Sequence, residues 1–211
     1  MGGDGFAREC YLFLQEIMKT DSSIVFGGFM GHGGYGKTVD YKTYQHLYIG
    51  EVSEHEFSED EYVIIGAGYP NLRIKIYNEL KARGIKFYNL ILNSFIGDSV
   101  DIGEANVILS SSFTANISVG SGNVFNGLVI IGHDVEVGNF NFFGTKSQIL
   151  GNVKVGNGNQ VGTNVILLPK AKIGNNNKIA PLSAIYKGCR NNCYMIGNPA
   201  LKVGTIEETK E

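Results

Sequence analysis

Three groups of residues in this chain have the types and spacing that chemistry needs. The first is His133 with Asp134 beside it and Gly151 eighteen residues further on. Histidine changes charge near neutral pH, and a carboxylate at its side suits an imidazole to general-base work. A glycine N–H stacked beside that imidazole is placed to reach a group held there. The second group is Gly31-His-Gly-Gly-Tyr-Gly36-Lys37-Thr38, which matches the phosphate-loop pattern G-x-x-x-x-G-K-[ST] and also contains G-x-G-x-x-G. The third is Gly2-Gly3-Asp4-Gly5, directly ahead of an amphipathic stretch. A diphosphate there would sit on a helix N-terminus. The other histidines, His32, His46 and His55, have no evident partners in sequence.

The element that must position His133 is read from an unbroken period. Phe113, Val119, Phe125, Ile131, Val137, Phe143, Ile149, Val155, Val161, Leu167, Ile173, Ile179 and Ile185 recur at every sixth place. A helix repeats at 3.6 residues and a simple strand at 2, so neither makes a strict six. A solenoid with triangular coils of eighteen residues does, with one inward apolar residue on each flat side. Residues eighteen apart then stack, giving three expected ladders. They run Phe113-Ile131-Ile149-Leu167-Ile185, Val119-Val137-Val155-Ile173 and Phe125-Phe143-Val161-Ile179. Leu90, Ile96, Ile102 and Ile108 already keep the period, and one residue is lost before Phe113. Glycines that follow the apolar position suit a crowded backbone. Small or amide residues such as Asn123, Asn141, Asn159 and Asn177 are expected at the corners. His133, two places after inward Ile131, should leave the coil near a corner and point outward.

Residues 1–88 have a different grammar. Helices are expected over 6–19 and 71–83, the second with the stripe Leu72, Ile76, Leu80 and a stop at Gly84. Strands are expected over 23–30, 61–66 and 85–92, and strands alternating with helices imply a parallel sheet. The phosphate-loop match lacks its context. The residues after Thr38 are β-branched and aromatic, a poor helix opening, and no apolar strand ending in Asp follows to hold magnesium. A glycine-rich surface loop is the preferred reading there, with a phosphate-loop kinase as the rival.

Composition closes off several classes. The 211 residues carry a net charge of −2, with 43% apolar and 18% charged, so no basic excess points to nucleic acid. No apolar run reaches the ~20 residues of a membrane span. No basic segment followed by an apolar core opens the chain, so a secretory signal is not expected. Cys10, Cys189 and Cys193 cannot all pair and lack the partners of a zinc site, and free thiols in a reducing cytoplasm are expected.

Four stretches carry a resemblance. Gly132-His133-Asp134-Val-Glu-Val-Gly138, Gly151-Asn-Val-Lys-Val-Gly156, Val161-Gly-Thr-Asn-Val-Ile-Leu-Leu-Pro169 and Gly197-Asn-Pro-Ala200 resemble the hexapeptide-repeat acyltransferases. More narrowly, they resemble bacterial nucleotide-sugar N-acetyltransferases of the sialic acid O-acetyltransferase-like family. Gly-Gly-Asp-Gly-Phe-Ala-Arg-Glu at the start and the stretch 65–73 are similar to the N-terminal domain of that family. The resemblance covers nearly the whole chain. It implies an α/β Rossmann-like domain over 1–88 that binds a nucleotide sugar, then a left-handed parallel β-helix over 89–211.

The resemblance further implies an acetyl-CoA-dependent enzyme without a metal, acting on a nucleotide-linked 4-amino-4,6-dideoxy sugar. It implies a cytoplasmic homotrimer with active sites between subunits. His133 would take the proton of the attacking amine, Asp134 would orient the imidazole, and the Gly151 amide would bind the thioester carbonyl. Coenzyme A would touch Gly151, Ala180, Lys187, Pro199 and Lys202. The nucleotide would sit on Gly2, Gly3 and Gly5 with Gly66 and Arg73 nearby, and the sugar near Asn126. Three departures from the pattern stand out. The first strand of the N-terminal domain is not found ahead of Gly2. Gly27 and Gly28 stand where acidic residues commonly end the second strand. Phe142 stands where some relatives carry a second histidine. Two other readings fit the same residues, an O-acetyltransferase on sialic acid or a similar sugar, and a non-catalytic trimeric scaffold.

Overall fold

The structure, a computed structural model, describes residues 5–33 and 44–207. The larger part is a parallel β-solenoid, the architecture of the expected left-handed β-helix. Its short strands stack into three sheets of six, eight and six strands. All three apolar ladders form in the expected register, for example Phe113 beside Ile131, Val119 beside Val137 and Phe125 beside Phe143. The residue lost before Phe113 is visible as a shorter first coil, in which Leu90 pairs with Val107 and Val100 with Ile117. A second shortening follows Ile185, where Lys172 pairs with Gly188.

The coil stands on its interior. Phe113, Phe125, Phe143, Ile131, Ile149 and Leu167 are fully buried, each worth about 1.5–3 kcal/mol relative to exposure. Phe125 and Phe143 stack at 4.9 Å with ring planes 9° apart. Asn123, Asn141, Asn159 and Asn177 each follow a left-handed corner residue, as expected of a corner position, and their side chains point into the coil. Each side-chain oxygen accepts the backbone N–H of the next coil, and successive amides bond at 2.9–3.0 Å. A buried amide needs such partners, and the ladder supplies them coil after coil. The corners themselves are made by left-handed residues one place earlier or at the equivalent vertices, including Asn116, Asp134, Asn152 and Lys170 at φ 53–67°. Glycine is required beside them. A Cβ at Gly138 would meet the Gly156 carbonyl oxygen at 2.7 Å.

The three faces differ outside. One carries Asp101, Ser118, Glu136, Lys154 and Lys172 to solvent, with Lys154 paired to Glu136 at 2.7 Å. A second is covered by the N-terminal half: helix α1 (Gly5–Met18) lays Cys10 and Leu14 against Val107 and Val124. The third presents Phe95 and Ile130, 62% and 48% exposed, and Ile166.

The N-terminal half is α/β, but it is not the single sheet that a Rossmann-like domain has. The described residues hold α1, α2 (Pro70–Ala82) and two separate two-stranded parallel sheets. One joins β1 (Phe29–Gly31) to β2 (Tyr48–Glu51), the other β3 (Tyr62–Val63) to β4 (Lys86–Phe87). Both helices fall within a residue of their sequence-read bounds. Of the strands expected over 23–30 and 61–66, only the ends form ladders, because no described strand lies between β1 and β3 to pair the rest.

Arg73 corrects the sequence reading most sharply. Expected near a nucleotide, it is instead fully buried, and its guanidinium donates to the carbonyls of Ala67, Ala105 and Gly122 at 2.8–3.0 Å, and to that of Ile65. Two of these acceptors lie in the N-terminal half and two in the solenoid, so Arg73 locks the halves together and is closed to any ligand. Burial pushes its pKa down to about 10, which leaves it cationic at neutral pH. A second tie lies close by. Glu104 accepts from Tyr77 at 2.6 Å and from Lys81, both on α2.

Candidate active site

His133 stands at the vertex between the apolar face and the charged face. It follows the strand at Ile130–Ile131 and precedes the one at Val135–Val137. Its side chain is 64% exposed, as the count from Ile131 required. The backbone of this vertex is held from both neighbouring coils. Asp134 N–H donates to Ala115 O at 3.0 Å, and Asn152 N–H donates to His133 O at 2.9 Å. The left-handed turn at Asp134, φ 57°, folds the carboxylate back onto the preceding ring.

The carboxylate then fixes the imidazole. Asp134 Oδ2 lies 2.7 Å from His133 Nδ1. A proton on Nδ1 is the one the carboxylate accepts, which leaves Nε2 with its lone pair outward. Asp134 is itself anchored. Asn116, one coil below, donates from Nδ2 to Oδ1 at 3.2 Å. The hydrogen bond to His133, then that to Asn116, hold the Asp134 carboxyl below the usual range. Asn116 was missed in the sequence, although the same eighteen-residue period that links His133 to Gly151 links it to Asp134.

Gly151 completes the arrangement. A Cβ built there would lie 2.7 Å from His133 Nε2, so the ring edge rests against the glycine backbone. Among the described residues the Gly151 N–H makes no hydrogen bond, while its carbonyl accepts from Lys170 N–H at 3.0 Å. His133 Nε2 therefore lies against Gly151, whose N–H has no hydrogen-bond partner among the described residues. Nothing at this vertex is a nucleophile. The nearest thiols in the solenoid, Cys189 and Cys193, are half-buried and buried near its far end, and burial, with Cys193 adding, pushes Cys189 up to about 11.

The other expected contacts divide between two vertices. Lys187, exposed, continues the corner row of His133, Gly151 and Pro169. Asn126 and Ala180 share a different corner, between the covered and apolar faces. There each backbone N–H donates to the coil above, at 2.9 Å to Phe143 O and Met195 O respectively. Pro199 and Lys202 are exposed on the terminal hairpin of Cys193–Gly197 and Ala200–Thr205. One chain does not bring Asn126 or Ala180 to His133, because the whole apolar face separates the two vertices.

In the N-terminal half, Gly66 is buried and lines a cavity of about 590 Å³, whose other walls include Gly27 and Gly28. Gly5 is exposed at the first turn of α1. Gly2 and Gly3 lie outside the described residues, as do Gly34, Tyr35, Gly36, Lys37 and Thr38 of the phosphate-loop match. Its Gly31 ends β1, and His32 is buried against Glu79 at 2.7 Å. Phe142, in place of the second histidine, packs edge-on against Phe6 of α1 at 6.3 Å between centroids. No described helix is long and apolar enough to cross a membrane.

No family model and no curated protein matches this chain in sequence. Solved structures do match in fold. WeeI from Acinetobacter baumannii AYE is 20% identical over 96% of this chain and 97% of its own, with a TM-score of 0.83. The acetyltransferase domain of PglB from Neisseria gonorrhoeae FA1090 is 19% identical over 96% and 97%, with a TM-score of 0.77. PerB from Caulobacter crescentus, solved in complex with CoA and GDP-perosamine, is 22% identical over 68% and 70%, with a TM-score of 0.67. At these identities the likeness is one of fold.

Proposed function

We propose that this chain is an acyl-CoA-dependent N-acyltransferase acting on a nucleotide-linked 4-amino-4,6-dideoxy sugar, with acetyl as the acyl group. The observation that carries the reading is the vertex at His133, where Nδ1 is held by Asp134 and Nε2 rests against Gly151, whose N–H has no hydrogen-bond partner among the described residues. That pair suits a reaction that releases a proton at one atom and builds negative charge at another. The fold likeness to PerB, a protein that binds CoA and GDP-perosamine, supports the substrate class.

In this mechanism the sugar amine attacks the thioester carbonyl in a ternary complex. As the C–N bond forms, His133 Nε2 takes the amine proton and Asp134 balances the resulting imidazolium. The carbonyl oxygen becomes an oxyanion and accepts from Gly151 N–H, a preformed donor that need not reorganise. Collapse breaks the C–S bond, and the imidazolium returns its proton to the departing thiolate. The free, half-buried and buried cysteines play no part.

The separation of the two vertices supports a trimer. Three copies with their apolar faces turned to a common axis form a closed ring. The ends of adjacent faces then meet, which sets the His133 vertex of one copy beside the Asn126 and Ala180 vertex of the next. Phe95, Ile130 and Ile166 would be buried there. Coenzyme A would lie in that seam, touching Lys187 of one copy and Ala180, Pro199 and Lys202 of the other, with the sugar near Asn126. The nucleotide would reach the N-terminal half at Gly2, Gly3, Gly5 and Gly66.

The test is to follow thiol release from acetyl-CoA with UDP-, dTDP- and GDP-linked 4-amino sugars. Release with one amino sugar, lost in His133→Ala, is the expected result. Release only with a hydroxyl acceptor would make the enzyme an O-acetyltransferase. Coenzyme A binding without release on any acceptor would leave the scaffold reading in possession.

A further inference from the structure

Charge is segregated along the solenoid. Residues 89–153 hold five acidic residues, Asp98, Asp101, Glu104, Asp134 and Glu136, and one basic residue, Lys146. Residues 154–206 hold seven Lys and Arg and no Asp or Glu. Of the seven, Lys154 alone has an acidic partner among the described residues, Glu136 at 2.7 Å. The other six are exposed and surround the end of the coil. Lys172 lies on the charged face and Lys178 on the covered one. Lys170 and Lys187 continue the His133 corner, Arg190 stands between the strands Gly188–Cys189 and Cys193–Gly197, and Lys202 is on the terminal hairpin. Acidic residues resume only at Glu207, after Ile206 N–H donates to Asn192 O at 2.8 Å.

The same end carries apolar side chains in water. Along Cys193–Gly197, Cys193 and Met195 are buried, so Tyr194 and Ile196 face outward, and Leu201 pairs opposite Ile196. Val203 falls in a register shift, between the residues that pair with Tyr194 and Met195, and is the extra residue of a β-bulge. Leu201 and Val203 are 66% and 57% exposed, on the last strand of the eight-stranded sheet. An exposed apolar cluster rimmed by charge marks an interaction surface. A second copy does not fit it, because it brings the same unpaired cations. Addition of a strand is opposed by the bulge and by Lys202 on the edge. A nucleic acid takes the cations but leaves Ile196, Leu201 and Val203 in water, since bases stack on aromatic rings. An anionic bilayer takes both. Its headgroups meet the cations, and the boundary of its acyl chains takes the aliphatic side chains.

We infer that the C-terminal end of the solenoid docks on an anionic lipid bilayer, with Leu201 and Val203 at the boundary of headgroups and acyl chains and the cations around them on the headgroups. Coenzyme A, where the proposed activity places it, occupies Lys187 and Lys202 but not Lys172, Lys178 or Arg190. The docking uses neither His133 nor acyl transfer and stands apart from the proposed activity. The proposed trimer, which turns three such ends the same way, would only add avidity.

The test sediments the 211-residue chain with vesicles of phosphatidylcholine alone and with vesicles that are about one-third phosphatidylglycerol. Binding to the anionic vesicles only, weakened by added salt, is the expected result. The chain has no Trp, so Leu201→Trp places a single reporter on the hairpin, and its emission should shift to the blue on anionic vesicles. Leu12→Trp, exposed on α1 beside the first coils, should not shift. Lys172→Gln with Arg190→Gln should keep the melting temperature and bind about 25-fold more weakly, about fivefold for each cation lost. Equal binding to both kinds of vesicle, binding to neither, or a shift in Leu12→Trp rather than Leu201→Trp overturns the proposal. Binding to a DNA duplex but not to anionic vesicles assigns the end to nucleic acid and overturns the bilayer.

Discussion

The Nε2 edge of His133 rests on the backbone of Gly151, so closely that a Cβ on the glycine would stand 2.7 Å from that nitrogen. The two residues come from neighbouring coils, and each constrains the other. The group that must yield to a larger residue at 151 is the exposed ring rather than the backbone. Gly151→Ala is therefore expected to keep the melting temperature within a few degrees and to lower kcat for acyl transfer by about 10²-fold, the lower range for a displaced base. Melting curves beside steady-state rates decide it, and a variant that unfolds would show that the glycine is structural.

Asp134 holds Nδ1, so Asp134→Asn should leave the fold intact and reduce kcat by about 10²–10⁴-fold by allowing the wrong tautomer. Asn116→Ala, which loosens only the carboxylate, should cost less than Asp134→Asn. The Asp134 carboxyl is held below its ordinary range, so any stability it lends is present above that range and lost as pH falls through its lowered value. Melting of the wild type and Asp134→Asn should then differ by a constant amount above about pH 5 and converge below about pH 3. A difference that grows on acidification contradicts this account.

Arg73 ties the N-terminal half to the solenoid through the carbonyls of Ile65, Ala67, Ala105 and Gly122. Arg73→Ala strands all four acceptors in a dry space and should destabilise by about 3–5 kcal/mol. Arg73→Lys should recover little, since an ammonium cannot span a planar set of acceptors on both halves. Denaturant titration reads both values, and a lysine variant as stable as the wild type would refute the lock.

Burial of Glu104 works to raise its pKa, but the hydrogen bonds from Lys81 and Tyr77 outweigh it and leave the carboxyl lowered. A lowered carboxyl stabilises above its unfolded value, about 4.3, and loses that contribution as pH falls through the folded value. Glu104→Gln is expected to melt a few degrees lower at pH 7, with the gap closing below about pH 4. A gap unchanged at pH 3 would mean that the charge plays no part in the tie.

Ile130 is 48% exposed on the apolar face. Ile130→Asp should leave a folded chain that sediments as a monomer and transfers no acyl group, because the two vertices then never meet. A monomeric wild type, or a fully active monomeric variant, would sink the shared site.

Much of this molecule was legible from residue spacing alone. An apolar residue at every sixth place admits few backbones, because only a triangular coil returns each such residue to the interior. The three ladders, the shortened first coil and the outward direction of His133 follow from counting. The stacking of Gly151 on His133 follows from the same count, and Asn116 beneath Asp134 was available to it. The N-terminal half has no such period. A run of Val and Ile marks a strand without saying what it pairs with, and so the expected single sheet became two. A charged residue near a glycine turn suggests a ligand contact, yet Arg73 faces inward, because the carbonyls that receive it come from segments distant in sequence. Sequence by itself determined the coil and the stacking of Gly151 on His133, since both are local consequences of a strict period. Only the tertiary structure decided which faces lie covered or bare, on which vertices the site residues fall, and where Arg73 is spent. Those depend on contacts between chain segments that no spacing relates.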